Sequence, residues 1–219
     1  MPPITQSHLD RIHDAVAHAE TQSSGEIIPY LVERSGRYEI AYWRAGVFGA
    51  AIGLLLVVLA QRLGLGGWEA AWLYTAGGLS IAIIVGACVA LGATALLPGL
   101  QRFLAGGDRM AERVHKRAAM AFISEEVFAT THRTGILILV SLFEHRIEVL
   151  GDTGISSRVD PDQWADVVEA IRDGIRKGEL GKGLAEGVRR CGELLKNADL
   201  PEGQTGDVVL ENRLRFSKR

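Results

Sequence analysis

Four carboxylates carry the chemistry this chain is best placed to do. Glu26 opens an apolar strand, and Asp152, Asp160 and Asp162 follow a β-hairpin. If the strand ends converge, these oxygens suit calcium or another hard divalent cation. A water activated on such a cation would make the protein a metal-assisted hydrolase. The competing roles are structural: Asp160 precedes Pro161 as a helix N-cap, Asp162 supports the positive first turn, and Glu26 is solvated. Other sets are poorer, and no catalytic residue is assigned. There is no GxSxG nucleophile turn and no GxxxxGK[ST] phosphate loop. Gly178 to Gly183 is glycine-rich but joins two helices instead of following a strand, which makes it a helix joint. His8, His13 and His18 recur every five residues, a spacing that scatters them around a helix, whereas ligation wants three or four. With His115, His132 and His145 they read as surface residues. Cys88 and Cys191 form no CxxC pair, Cys191 lacks a phosphate-cradling loop, and both read as structural thiols.

The elements that must position these groups are split by two apolar runs. Ala45–Gln61 and Ala70–Leu100 contain no charged residue. A span needs about 20 apolar residues to cross about 30 Å of hydrocarbon. The second run is longer than that and must tilt or stop early, with Pro98-Gly99 as the natural stop. The first is short, and Ile40–Trp43 extend it if Arg44 snorkels. Tyr38, Tyr42 and Trp43 before the first run, and Trp68, Trp72 and Tyr74 at the turn, give an aromatic belt at each interface. The pair reads as a transmembrane hairpin. The connector Gln61–Glu69 holds one basic residue, Arg62, whereas the flanks hold Arg34, Arg37, Arg44, Arg102, Arg109, Arg113, Lys116 and Arg117. The positive-inside rule therefore puts both termini and the soluble part in the cytoplasm. A bacterial inner-membrane location is the expectation, with the lipid bilayer as the first partner. The N-terminus has no apolar h-region, so no cleavable signal peptide is expected. Gly49 and Gly53, then Gly78, Ala82, Gly86 and Ala90, recur every four residues as packing faces. They serve the hairpin itself, or else a homo-oligomer or another membrane protein.

Around the hairpin lie two pieces of an α/β domain. Ser7 caps an amphipathic helix carrying Leu9, Ile12, Val16 and Ala19, which ends near Ser23-Ser24-Gly25. Glu26–Glu33 reads as a strand, with Pro29 marking an edge or a bulge. Beyond Gly106-Gly107 a helix is predicted from about Asp108 to Thr131. Gly135 then opens Ile136–Val140, an apolar run that reads as a strand buried on both faces. Glu144–Arg146 form a polar turn, and Ile147–Val149 alternates as a half-buried strand. Trp164, Val167, Val168, Ile171 and Ile175 give one helix its apolar face, and Leu180, Leu184, Val188, Cys191 and Leu195 give the last. One helix and one strand cannot bury a core alone, so the pieces are expected to join. The organisation expected is 1–39 and 102–197 as one split domain, 40–101 as the hairpin, and 198–219 as a mobile polar tail.

The order of these motifs resembles the TPM domain family. The motifs are Ser24-Gly25-Glu26-Ile27-Ile28; Thr134-Gly135 leading into Ile136–Val140; Arg146–Val149 with Gly151-Asp152; and Arg176-Lys177-Gly178-Glu179-Leu180-Gly181-Lys182-Gly183-Leu184. The likeness covers roughly residues 5–39 and 110–197, and the hairpin between first strand and second helix departs from it. The resemblance implies an α/β/α sandwich and a role in assembling, repairing or regulating membrane complexes. It also implies, for some relatives, weak acid phosphatase activity and calcium binding.

The net charge of -2 leaves no basic excess for phosphate backbones, so nucleic acid is not an expected partner. With no complete catalytic set, the sequence favours a membrane-anchored, non-enzymatic scaffold, assembly or regulatory factor. The alternative is a weak metal-assisted acid phosphatase.

Overall fold

The computed structural model describes residues 6–21, 25–65, 67, 71–130, 132–198 and 214–217. The chain divides into two compact units. One combines Met1–Gly36 with Ala111–Arg219, and the other is Arg37–Met110.

In the first unit, two continuous apolar runs, buried at every position, form adjacent parallel strands, β1 (Ile27–Val32) and β2 (Ile136–Ser141). The second hairpin strand, β3 (Arg146–Gly151), lies antiparallel beside β2. A short strand, β4 (Arg215–Ser217), adds parallel to β1, giving the order β3-β2-β1-β4. Period-two alternation sends Ile27, Leu31, Ile136, Ile138 and Val140 to one face, and Ile28, Tyr30, Val32, Leu137 and Leu139 to the other. The first face is covered by α1 (Gln6–Thr21), α7 (Pro161–Arg176) and α8 (Leu180–Asn197), which contribute Ile12, Val16, Ile171, Leu184 and Leu195. The second is covered by α5 (Gly107–Ser124) through Val114, Ala118 and Ala121. The result is the expected α/β/α sandwich.

Glycine lets the helix layer close up. A Cβ on Gly174 would stand 2.3 Å from Cα of Gly183, so α7 and α8 meet backbone to backbone there. The glycine-rich stretch expected as a helix joint also supplies Gly178, whose φ of +75° turns α7 into α8.

Four expectations change. Pro29 lies in an inner strand, yet its missing N–H costs nothing. Ile136 N–H donates to Glu26 O and Leu142 N–H to Val32 O, so the even-numbered residues of β1 bond to β2. Pro29 therefore faces the other side, where, among the described residues, β4 pairs from Tyr30 onward. Second, α5 stops at Ser124, short of Thr131. Glu126 takes φ +52°, with Val127 N–H returning to Phe122 O and Glu126 N–H to Ile123 O. This is a left-handed helix stop without glycine, and it lets Val127 turn back into the core. Third, part of the expected mobile tail is ordered: β4 binds β1, Arg215 pairs with Glu125 at 3.1 Å, and Arg117 donates to Ser217 Oγ at 2.7 Å. Fourth, a short α6 (Thr153–Ser156) follows β3. Ser7 and His8 lie within α1, but their side chains, with Ser23, Ser24, Gly66, Trp68 and Thr131, lie outside what is described.

The second unit contains two helices long and apolar enough to cross a membrane, α2 (Glu39–Arg62) and α3 (Ala76–Leu96). Their outer shells are bare: Leu55 is 63 % exposed and Val89 65 %. The second apolar run does not begin its span at Ala70. A 3-10 turn (Ala71–Tyr74) comes first, and Thr75 caps α3 by accepting from Gly78 N–H. Nor does Pro98 simply end the structure: as the first residue of α4 (Pro98–Ala105) it starts a new helix, the N-terminal position that tolerates its missing N–H. Where the small residues meet, the two helices nearly touch. A Cβ on Gly49 would lie 2.3 Å from Gly86 O and 2.5 Å from Ala90 Cβ, and one on Gly53 2.4 Å from Ala82 O. The small faces are thus spent on the hairpin itself, as close backbone approach in lipid requires. Gly78 packs instead on the backbone of Trp72 and Leu73. Of the aromatic belt, Trp43 and Trp72 are exposed, but Tyr38 is buried. Arg44 does not reach outward; its Nη1 donates to Leu104 O at 2.7 Å.

Candidate functional site

Asp152 follows β3 and caps α6, accepting from Thr153 N–H at 2.7 Å while its other oxygen pairs with Arg133 Nε at 2.8 Å. Its side chain is almost wholly buried. The turn before β2 is built to hold this pair. Arg133 takes φ +56°, and a Cβ on Gly154 would come within 2.1 Å of His132 O. Asp160 caps α7 in a reciprocal box: Gln163 Oε1 accepts from Asp160 N–H at 3.0 Å, and the Asp160 side chain accepts from the N–H of Gln163. Asp162 sits exposed in the first turn of α7. Glu26 is at the start of β1, across β2 from Asp152. Asp152 N–H donates to Gly135 O and Ile136 N–H to Glu26 O, so the two backbones are two strand spacings, about 10 Å, apart. The four carboxylates therefore do not converge into one cluster. Among the described residues no three His, Cys, Asp or Glu side chains are grouped to hold a metal ion. The physical reason is local: two of the aspartates cap different helices, and each cap holds its side chain against its own backbone.

A different set comes together at the opposite end of the sheet, where β1 and β2 finish. Glu144, in the β2–β3 turn, is 4 % exposed. It accepts from Ser35 N–H at 2.9 Å and from the Ser141 hydroxyl, which leaves the Ser35 hydroxyl to donate to Ser141 Oγ at 2.8 Å. His145, with φ +53°, closes the turn that folds Glu144 back. Arg34 stacks on Phe143, with 3.8 Å to the ring centroid, and the side chain of Arg113 lies against Gly36. Ser141 is buried and Ser35 half-exposed, so the serine pair connects a buried carboxylate to the surface. A carboxylate only accepts hydrogen bonds when ionised, so it orients both hydroxyl protons and can take one from a serine. The carboxyl ends of parallel strands are where open α/β sheets bind ligands. Sequence reading took Glu144 for a polar turn residue. Nothing local signals its partner, because Ser35 is 109 positions away.

Residues 108–194 match the TPM domain family. This segment resembles a TPM domain. It runs from α5 through β2, β3, α6 and α7 into α8. Helix α1 and strand β1 lie upstream of the match, yet they complete the same core, since β1 pairs with β2 along its whole length. The NMR structure of the BA42 protein from the psychrophilic bacterium Bizionia argentinensis is similar to this chain, with a TM-score of 0.58 and 18% identity. The likeness covers 99% of this chain and 97% of that one. At that identity the likeness is one of fold. No curated protein matches the chain.

Proposed function

We propose that this protein is a membrane-anchored TPM domain that acts by binding, as a scaffold, assembly or regulatory factor of a membrane protein complex. The observation that supports it most is the pair of bare apolar helices spliced in chain order between β1 and the matched TPM segment. Exposed Leu and Val shells on helices of that length need lipid around them. Of the carboxylates expected to form a cation site, Asp152 and Asp160 are taken by helix caps, and Asp152 also by an ion pair, which is structural work. The charge asymmetry about the connector puts the TPM domain on the cytoplasmic side. A cysteine at Leu65, with Cys88 replaced, should react with an impermeant maleimide in intact cells, and one at Ser156 only after lysis. The reverse pattern would move the domain across the membrane. Affinity purification from detergent-solubilised membranes should then recover a stoichiometric membrane protein. Recovery of the chain alone from cells that contain it at native level would defeat the scaffold reading.

One observation favours a hydrolytic second reading: the Ser35–Ser141–Glu144 set at the carboxyl ends of the strands, with Arg113 against the neighbouring Gly36. A serine backed by a carboxylate beside a cation suits a phosphate monoester. The full-length protein should be assayed on a generic phosphate monoester from pH 4 to 8 with calcium, magnesium or manganese, beside Glu144→Gln and Asp152→Asn. Turnover lost in Glu144→Gln alone would replace the scaffold by a phosphatase; no turnover in any sample is the expected result.

A further inference from the structure

The helix α4 has no role in the reading above, and its placement within the hairpin unit is specific. Span α3 has 21 residues, which at 1.5 Å each reach about 31 Å, close to the roughly 30 Å of a bilayer's hydrocarbon. Its last residue is therefore at the edge of the hydrocarbon. There the chain breaks: Leu97 adopts φ -112° and ψ 95°, and Pro98 starts α4 in a new direction. The new helix is two-faced. Gln101 and Ala105 are buried, with Gln101 donating to Tyr42 Oη on α2 at 3.4 Å, whereas Phe103 is 81 % exposed. Arg44 on α2 donates to Leu104 O, which pins the far end of α4 to the first span. Trp43 and Phe103 stand one residue from either end of that bond, and both are among the most exposed large side chains of the protein.

We infer that α4 lies in the plane of the membrane surface, with Gly99 and Phe103 turned to the boundary between acyl chains and headgroups. This rests on the reading of α2 and α3 as membrane spans. The occupant of the exposed face is lipid, because it continues without a break from the bare shell of α3 through Leu96 and Leu97. An aromatic ring beside Trp43 at the depth where a span ends matches the place where aromatic side chains prefer to sit. A two-faced helix with one apolar side lies in the interface and does not cross it. By this arrangement α4 sets the depth and rotation at which the hairpin leaves the bilayer.

The test uses the full chain in proteoliposomes, with Cys88→Ala and single nitroxide labels at Phe103→Cys, Gly99→Cys, Val85→Cys and Asp162→Cys. Cys191 is fully buried and stays unlabelled. Accessibility to oxygen and to an aqueous nickel chelate gives each label's depth. A helix lying flat places labels 99 and 103, one turn apart on one face, at equal depth within about 2 Å, whereas an upright helix separates them by about 6 Å. The expected pattern is equal interfacial depth at 99 and 103, oxygen access alone at 85, and full nickel access at 162. Nickel access at 103 equal to that at 162, a 6 Å separation, or shielding of 103 from both reagents by a second copy would each overturn the inference. Nickel access at 85 would instead overturn the membrane reading on which it rests. A Cβ at Gly99 meets no atom within 4 Å, so that label reports depth even if Phe103→Cys does not reconstitute.

Discussion

At the scale of single residues, three side chains give sharp expectations. Glu144 is buried and accepts from two groups. Removing it by Glu144→Ala leaves Ser35 N–H and the Ser141 hydroxyl without their acceptor, a cost of about 1–3 kcal/mol. Thermal unfolding should show that loss, and Glu144→Gln should recover part of it. Cys191 is enclosed on α8, and burial pushes its thiol up to about 12. It should resist iodoacetamide at pH 8 in the folded protein and react only on unfolding. Donation from Arg189, and then from Arg190, holds Glu186 down at about 2 from its ordinary 4.5. A lowered carboxylate contributes stability that is complete above about pH 4.5 and is lost as pH falls toward 2. The group is 38 % exposed, so solvent screening limits the effect to about 1 kcal/mol at most. Melting measured between pH 2 and 7 should show a shallower acid limb for Glu186→Gln than for the unaltered chain.

Between elements, glycine decides how closely helices pass. A Cβ on Gly86 would lie 2.3 Å from Gly49 O, whereas one on Gly92, on the same helix, meets nothing within 4 Å. Gly86→Ala should therefore push α2 and α3 apart and lower the midpoint of unfolding in detergent. Gly92→Ala should leave it unchanged or raise it, because alanine favours the helix by about 1 kcal/mol. Equal effects would mean that the small-residue face does not pack the hairpin. The spacing of these residues was legible in the sequence; their partner was not. A four-residue repeat fits a second copy as well as a neighbouring helix, and only the paired backbones show where the face is spent.

For the whole molecule, the test is whether the two flanks of the hairpin make one fold. Strand β1 lies between β2 and β4, and Leu31 and Val32 are fully buried against opposite helix layers. Deleting residues 1–36 strips β2 of its parallel neighbour and exposes both apolar faces, so that chain should be insoluble or fail to unfold cooperatively. Replacing 37–110 by a flexible Gly/Ser linker keeps every strand and should give a soluble domain with one melting transition. Equal behaviour of the two would show that α1 and β1 are dispensable to the TPM domain.

Patterns whose cause lies within a few residues could be read directly from the sequence. The long apolar runs mark α2 and α3, a short continuous apolar run marks β2, period-two alternation marks β3, and Asp160-Pro161 marks the start of α7, because length, alternation and capping are local physics. The matched TPM segment was recognisable by the order of such local motifs. Tertiary structure alone decided what depends on distant partners. It placed Pro29 in an inner strand by turning its missing N–H to the side away from β2. It parted Asp152 from Asp160, because each helix cap holds its carboxylate to its own backbone, and it set Glu26 two strands away from Asp152. It also brought Ser35 across to Glu144, since parallel pairing of β1 with β2 aligns the ends of strands that lie more than a hundred residues apart in the chain. Parallel register is a long-range fact, and the residues at a strand's end carry no mark of it.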